Sequence, residues 1–210
     1  FLTQDVPYPV SSGHHQRTSS YIKGLSRRNN VKIITFGDLK ENIVGIEFLN
    51  SLGCNVEIIA NKQQFRKENR FFSVIRAFFT PYPYAVLMRY RKDVKDKIAE
   101  IIQNESFDLF ICDGIHLALN LPKGIVGKKI LTEHNVESMI VKRYACIERN
   151  ILKKIYAYFE FTKFYLFEKK MWDFFNELYV CSEYDKVIVQ KRFKRKVLVV
   201  DNGVDVESLR

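Results

Sequence analysis

The stretch Lys129-Ile-Leu-Thr-Glu-His-Asn-Val-Glu137 decides the fold, because a short apolar run changes there to polar residues and then to a helical pattern. Residues 129–132 have the length and composition of a buried strand. Helical periodicity follows from residue 136 to residue 170. A buried strand that leads directly into a helix indicates an α/β fold with a parallel sheet.

The same alternation recurs on both sides of this stretch. The predicted strands are residues 31–36, 56–60, 107–112, 129–132, 178–181 and 197–200. The predicted helices are residues 14–28, 42–52, 85–103, 136–170 and 184–192. The chain opens on the apolar pair Phe1-Leu2, so we expect another strand there, shortened at its start. We therefore predict a Rossmann-like α/β fold, with a parallel sheet sandwiched by helices.

Composition and charge narrow the class of protein. A length of 210 residues, 47% of them hydrophobic, favours one large domain with a substantial core. No apolar run approaches the roughly 18 residues that a membrane-spanning helix needs, and no signal peptide is visible. A net charge of +10 favours an anionic partner, which leaves nucleic acid, acidic lipid head groups and phosphorylated small molecules open.

The cysteines show no spacing typical of metal sites or disulfide frameworks. All four lie in apolar contexts: Cys54, Cys112, Cys146 and Cys181. We interpret them as buried thiols in a reducing compartment.

Ligands of an open parallel sheet bind beyond the carboxyl ends of the strands, so residues there are candidate site residues. In the first such loop Ser11, Ser12 and Gly13 precede a helix that carries Arg17. Hydroxyl caps and a glycine at a helix start favour an anion, typically a phosphate, and we predict substrate contacts from Ser12, Gly13 and Arg17. An ordinary capped helix is the alternative. The loop lacks a GxGxxG dinucleotide fingerprint.

Glu133, His134 and Asn135 follow a middle strand, and three consecutive polar side chains at a carboxyl end indicate a working position. His134 is the candidate catalytic residue, able to exchange a proton or bind a sugar hydroxyl. Alternatively, Asn135 caps the following helix.

Two further strand ends also carry polar residues that could contact a substrate. Asp113 and His116 follow one strand, and Ser182 and Glu183 follow a later one. We include all four among the predicted substrate contacts. Ser182-Glu183 is equally compatible with a simple helix cap.

The positive charge is concentrated where basic residues alternate with aromatic residues, between residues 62 and 92. Such a mixture suits the head-group region of an anionic membrane. The predicted membrane contacts are Arg66, Lys67, Arg70, Phe71, Phe72 and Arg76. One alternative is that this segment binds single-stranded nucleic acid. The other is that its aromatic residues form a stripe that faces the core. A second aromatic-rich segment, residues 142–170, implies burial on several faces, against a partner domain or a membrane.

Taken in order, these motifs resemble the amino-terminal half of family 4 glycosyltransferases, especially enzymes of bacterial or archaeal cell-surface polysaccharides. The likeness rests on a Pro-x-Pro loop before helix one, His134-Asn-x-Glu, Ser182-Glu opening a late helix, and a closing Asn202-Gly-Val-Asp. It extends over almost the whole chain. The resemblance implies a GT-B fold, in which an amino-terminal domain binds the acceptor and a carboxy-terminal domain binds the nucleotide-sugar donor.

The resemblance also implies roles for particular residues. Gly13 matches a loop glycine near the donor phosphates, although Ser12 stands where the family usually has another glycine. His134 matches an acceptor-side histidine. Asn202, Gly203 and Asp205 match the turn that enters the hinge, so residues 1–200 would be the acceptor domain and residues 201–210 the start of the linker.

The function implied by the resemblance is retaining sugar transfer from a nucleotide sugar to a glycan or lipid-linked acceptor. Such enzymes need no metal and no other cofactor. We expect the chain to lie in the cytoplasm, peripherally on the inner membrane face, and to be inactive without its donor domain. The alternatives are a sugar-nucleotide epimerase of the same fold and a non-catalytic, basic nucleic-acid-binding domain. Neither nucleic acid nor a metal is the expected partner.

Overall fold

The structure is a computed structural model that describes residues 1–60 and 70–203. Its parallel strands confirm the predicted α/β, Rossmann-like fold. β1 (Lys32–Gly37) pairs with β2 (Asn55–Ala60). The remaining described strands form the order β3–β4–β5–β6: Leu109–Asp113, Lys128–Thr132, Glu177–Val180 and Lys196–Val199. Each predicted strand is observed within two residues of its expected bounds.

The first residues of the chain join these two sets of strands. Leu2 forms parallel bridges with Ile34 of β1 and with Cys112 of β3. Its N–H donates to Ile111, and its carbonyl accepts from Asp113. The expected strand at Phe1-Leu2 therefore lies in the middle of the sheet, reduced to a single bridging residue.

This arrangement fixes where a ligand would bind. From the central Leu2 segment the chain moves outward to β1 and β2, and then returns to the opposite side of Leu2 at β3. The strand order reverses between Leu2 and β3. Crevices at such reversals, beyond the carboxyl ends of the strands, are the usual ligand sites of open α/β sheets.

Helices cover both faces of the sheet, as the alternation of β1 shows. Ile33 packs in one cluster with Ile22 of α1 (Gly13–Ser26) and Leu49 of α2 (Ile43–Ser51). Its neighbour Ile34 packs in a second, larger cluster. Successive strand residues point to opposite faces, so the two clusters lie on opposite sides of the sheet.

The remaining helices are α3 (Arg70–Phe78), α4 (Tyr84–Leu87), α5 (Lys92–Asn104), the 3-10 helix Ile115–Asn120, α6 (Glu137–Ile147), α7 (Ile151–Trp172) and α8 (Glu183–Gln190). The larger cluster combines residues of the sheet with residues of these helices other than α3, from which no described residue joins it. The predicted helices match α1, α2 and α8 closely.

Two predicted helices are each divided in the structure. The prediction of a single helix over residues 136–170 is wrong, because the structure has two antiparallel helices there, α6 and α7. Glu148 leaves helical geometry with ψ of 129°. Asn150 then caps α7, its side chain accepting from Leu152 N and Lys153 N, each at 3.1 Å.

The helix expected over residues 85–103 is likewise wrong. It is α4 followed by α5, with Arg91 extended between them. Asn120 stabilises this break, because its amide donates to Arg89 O at 2.9 Å and accepts from Arg91 N at 2.8 Å.

The predicted burial of the cysteines is confirmed for Cys54 and Cys112. It is wrong for Cys146, which lies exposed on α6, 3.7 Å from Tyr158 OH. Cys181 is half-buried. None of the helices in the described ranges combines the length and apolar character that a bilayer crossing requires.

Candidate functional site

Asp113 ends β3 at the reversal of strand order, and its buried carboxylate is the centre of the candidate site. Oδ1 accepts from Thr132 Oγ1 at 2.6 Å and lies 2.9 Å from His134 Nε2. Oδ2 accepts from Thr18 Oγ1 at 2.6 Å and from Thr3 Oγ1 at 3.3 Å. Three separate chain segments therefore converge on one carboxylate, which supplies the partners that a buried charge needs.

These partners keep Asp113 ionised. Burial alone would raise the pKa of Asp113, but the hydrogen bond and charge of His134, with the hydroxyls of Thr132 and Thr18, lower it below its ordinary value. At neutral pH the carboxylate is therefore an acceptor only.

The ionised Asp113 determines the proton position on His134. Nε2 of His134 must carry a proton to donate to the carboxylate, so Nδ1 is the acceptor nitrogen of the neutral imidazole. The His134 side chain is partly exposed. An oriented imidazole of this kind can accept a hydrogen bond or a proton from a substrate hydroxyl.

His14, in the first turn of α1, extends the network. Its Nδ1 is 3.0 Å from His134 Nε2, and the two rings meet edge to face with centroids 4.5 Å apart. Its Nε2 is 3.5 Å from Asp5 Oδ1. The other carboxylate oxygen of Asp5, Oδ2, is 3.5 Å from His15 Nε2. In the described part of the chain, neither His14 Nε2 nor Asp5 Oδ1 has a hydrogen-bond partner.

Asp5 shifts the pKa of His14. The Asp5 carboxylate raises the pKa of His14 above its ordinary value, although burial opposes this. A protonated His14 places an N–H opposite the Nε2–H of His134 at 3.0 Å, which is unfavourable. A proton on His14 Nδ1 therefore does not fit the hydrogen bond that His134 Nε2 donates to Asp113.

Glu133 lies between Thr132 and His134 but has a different environment. Its side chain is buried, and its carboxyl accepts from Trp172 Nε1 at 2.8 Å. Burial and the charge of Glu168 raise the pKa of Glu133 well above its ordinary value. The structure thus gives Glu133 a packing partner, and its predicted substrate contact stays a prediction.

His116 lies in the 3-10 helix beside the site. Burial, with the charges of Arg89 and His134, lowers the pKa of His116 to about 4. Its Nε2 is 3.8 Å from Glu137, whose pKa burial raises to about 7. His116 is therefore neutral at pH 7, and its contact with Glu137 is not an ion pair.

The start of α1 has the predicted cap. Ser12 accepts from His15 N at 3.2 Å, and the space where a side chain would extend from Gly13 is open. Arg17 is buried instead of facing this opening. It donates to Val200 O at 2.8 Å and to Asn202 Oδ1 at 2.9 Å, which fastens α1 to the chain beyond β6.

The remaining predicted contacts divide by role. Ser182 caps α8, accepting from Asp185 N at 3.1 Å, and Glu183 is exposed in the first turn near Lys186. Asn135 is exposed but does not cap α6, whose cap position is Val136. Asp113 and His134 are thus the predicted residues that the fold brings into contact.

His14, Asp113 and His134 are also the described residues that could hold a metal ion, since ligand atoms from all three lie within 4.8 Å of one another. A cation would have to replace the proton between His134 and Asp113, whose oxygens already accept two threonine hydroxyls at 2.6 Å. The geometry fits a hydrogen-bonded network better than a metal centre. The expected metal independence stays a prediction.

Most of the predicted membrane contacts are not described. Arg66 and Lys67 lie outside the described residues, as does Asp205 of the predicted hinge, and the side chains of Arg70, Phe71 and Phe72 are also outside the description. Arg76 is exposed near the end of α3. Phe79, which follows α3, has 82% of its surface exposed.

Sequence reasoning missed Thr3, Asp5, His14 and Thr18 as members of the network. Asp5 follows the first apolar pair and His14 follows the proline loop after it, so their position after a strand was the available signal. Thr18 carries no such signal, because only the packing of α1 brings it to Asp113.

Comparison with known proteins adds no family assignment. No protein-family model matches the chain, and a search of curated proteins also gives no match.

Proposed function

We propose that this chain is the amino-terminal, acceptor-binding half of a retaining, metal-independent glycosyltransferase. The observation that carries the proposal is the Asp113–His134 pair at the reversal of strand order. Ligands of open α/β sheets bind at that location. The ordered set of motifs that resembles family 4 glycosyltransferases supports the reaction class.

In this proposal His134 binds a hydroxyl at the reacting end of the substrates. The Asp113 carboxylate orients the imidazole and leaves Nδ1 as its acceptor nitrogen. A hydrogen bond from a sugar hydroxyl to that nitrogen positions the substrate for attack. His14 is a positioning residue, since it contacts the opposite ring nitrogen.

The start of α1 is the proposed neighbour of the donor diphosphate. The opening beside Gly13 allows a ligand to approach the main chain. The free N–H groups at the beginning of a 14-residue helix favour negative charge. In the reaction, the bond between the sugar and the diphosphate breaks, the acceptor oxygen bonds to the sugar as it loses its proton, and the nucleoside diphosphate leaves and takes up that proton.

The proposed location is cytoplasmic and peripheral on the inner membrane face, where a lipid-linked acceptor is found. Support comes from the net charge of +10 and from exposed Arg76 and Phe79 at the end of α3. The charge reversal Arg66→Glu, Lys67→Glu and Arg70→Glu should weaken binding to anionic vesicles. Unchanged binding would contradict a membrane role for that segment.

The reaction class is tested with the full-length polypeptide that contains this chain. A panel of nucleotide sugars is incubated with membrane extract, with and without EDTA, and labelled products are separated. Transfer of the sugar to an acceptor, unaffected by EDTA, is expected. An epimerised free sugar nucleotide, or tight binding to oligonucleotides without any sugar product, would contradict the proposal.

A further inference from the structure

The helical hairpin of α6 and α7 leads away from the carboxyl end of β4. Trp172, at the end of α7, donates to Glu133 just past the carboxyl end of β4. At about 1.5 Å per residue, the 22 residues of α7 extend about 33 Å from there. The second half of α7 packs on the fold through buried residues such as Phe164 and Phe167. Ala157 is the first buried residue along α7, so no described residue of this helix before it is buried. The opening turns of α7 therefore project on the side of the candidate site.

The exposed end of this hairpin, residues 144–155, is apolar to an unusual extent. We call it the hairpin tip. Its large apolar side chains have 47–77% of their surface exposed: Tyr144, Ile147, Ile151, Leu152 and Ile155. Leu152 and Ile147 are 75% and 77% exposed. Such a cluster of exposed apolar residues marks an interaction surface.

The hairpin tip and its flanks are also strongly basic. Between residues 138 and 159 the chain has five basic residues, Lys142, Arg143, Arg149, Lys153 and Lys154, against one acidic residue, Glu148. The carboxylate of Glu148 accepts from Tyr144 OH and Asn150 N within the tip. Apolar side chains that protrude among cations match an anionic lipid surface, where the apolar groups enter the acyl boundary and the cations meet phosphates.

We propose that the hairpin tip docks on an anionic lipid surface. A second copy of the chain fits less well, because two tips with this excess of positive charge repel each other. The surface continues toward α3, which packs against α7. The ring centroids of Phe78 and Phe159 are 4.6 Å apart, and Lys163 donates to Ala77 O. The link to a lipid-borne acceptor rests on the proposed function, but lipid binding itself does not.

Vesicle sedimentation tests the proposal without any sugar substrate. The protein should bind phosphatidylcholine vesicles that contain phosphatidylglycerol, and bind pure phosphatidylcholine at least about 10-fold more weakly. The double variant Ile151→Ser/Leu152→Ser should lose binding by at least about 10-fold. Lys153→Glu/Lys154→Glu should have a similar effect, which 0.5 M salt reproduces in the unchanged protein.

Matched controls separate the tip from general apolarity and charge. Val126→Ser changes a residue that is 85% exposed in a loop before β4, and Lys191→Glu/Lys194→Glu removes the same charge beside α8. Val126→Ser should leave vesicle binding unchanged, and the lysine variant measures how much binding is lost when the same charge is changed away from the tip. Equal loss of binding in these controls and in the tip variants would overturn the proposal.

Exposed Cys146 provides a direct probe of insertion. An environment-sensitive fluorophore on Cys146 should shift to the blue when anionic vesicles are added. Vesicle binding without this shift would overturn the proposal. A dimer of the unchanged protein that the Ile151→Ser/Leu152→Ser variant no longer forms would also overturn it, because the tip would then bind a second copy of the chain. Sugar transfer is measured separately, so a failed transferase assay leaves the lipid result interpretable.

Discussion

Asp113 is the residue around which the candidate site is organised, because donors from three chain segments meet its buried carboxylate. An asparagine at this position would direct its side-chain NH₂ group at hydroxyls that now donate to the carboxylate. We predict that Asp113→Asn lowers the free energy of unfolding by about 2–4 kcal/mol, as measured in urea.

Asp108→Asn is the matched control, because Asp108 is exposed before the amino end of the same strand. Its effect should stay within about 0.5 kcal/mol. Equal effects of the two variants would contradict the role assigned to the Asp113 network.

The pH dependence of stability follows from the same residue. The lowered pKa of Asp113 means that its contribution is fully present above the ordinary value of 3.8 and is lost as pH falls through the folded-state pKa. Asp113→Asn should therefore flatten the acid limb of stability measured against pH below about 4. An unchanged acid limb would contradict an ionised Asp113.

Asp5 controls the titration of His14. We predict that Asp5→Asn lowers the pKa of His14, observed by NMR titration of the imidazole, since it removes the carboxylate 3.5 Å from Nε2. In the unchanged protein the contribution of His14 is complete below pH 6.5, its ordinary pKa, and is lost as pH rises through the raised value, provided that Asp5 is ionised, as it is above its ordinary pKa of 3.8. Asp38→Asn, at an exposed aspartate after β1, should leave His14 unaffected.

Helix ends illustrate what the sequence can and cannot predict about elements. Runs rich in valine and isoleucine predicted the strands because burial on both faces demands such residues. The division between α6 and α7 was not predicted, since residues 136–170 keep an uninterrupted apolar pattern. Asn150 is a possible cap in any sequence, and only the antiparallel packing of two helices selects it. Asn120 acts on Arg91 from 29 residues away, which no local pattern reveals.

The Asn150 cap gives a prediction at this scale. Asn150→Ala should lower the free energy of unfolding by about 1 kcal/mol, because two N–H groups at the start of α7 lose their acceptor. Asn135→Ala is the control, as Asn135 is exposed and does not cap α6. A larger effect at Asn135, measured by urea unfolding, would argue against this assignment of the break.

At the scale of the whole molecule, the topology turns scattered residues into a site. Asp113 and His134 could be predicted individually because both follow recognisable strands. Their contact, and the arrival of Thr3, His14 and Thr18, depends on Leu2 lying between β1 and β3. That placement comes from long-range packing, which a pattern of local periodicity does not encode.

Sugar transfer by the full-length polypeptide, compared among the unchanged protein, His134→Gln and Asp108→Asn, tests the central claim most directly. Loss of the oriented imidazole should reduce the rate of transfer to a glycan or lipid-linked acceptor by at least about 100-fold, with Asp108→Asn unaffected. Circular dichroism confirms that each variant is folded. Transfer at an unchanged rate in folded His134→Gln, or no transfer from any nucleotide sugar by the unchanged protein, would contradict a glycosyltransferase site at Asp113 and His134.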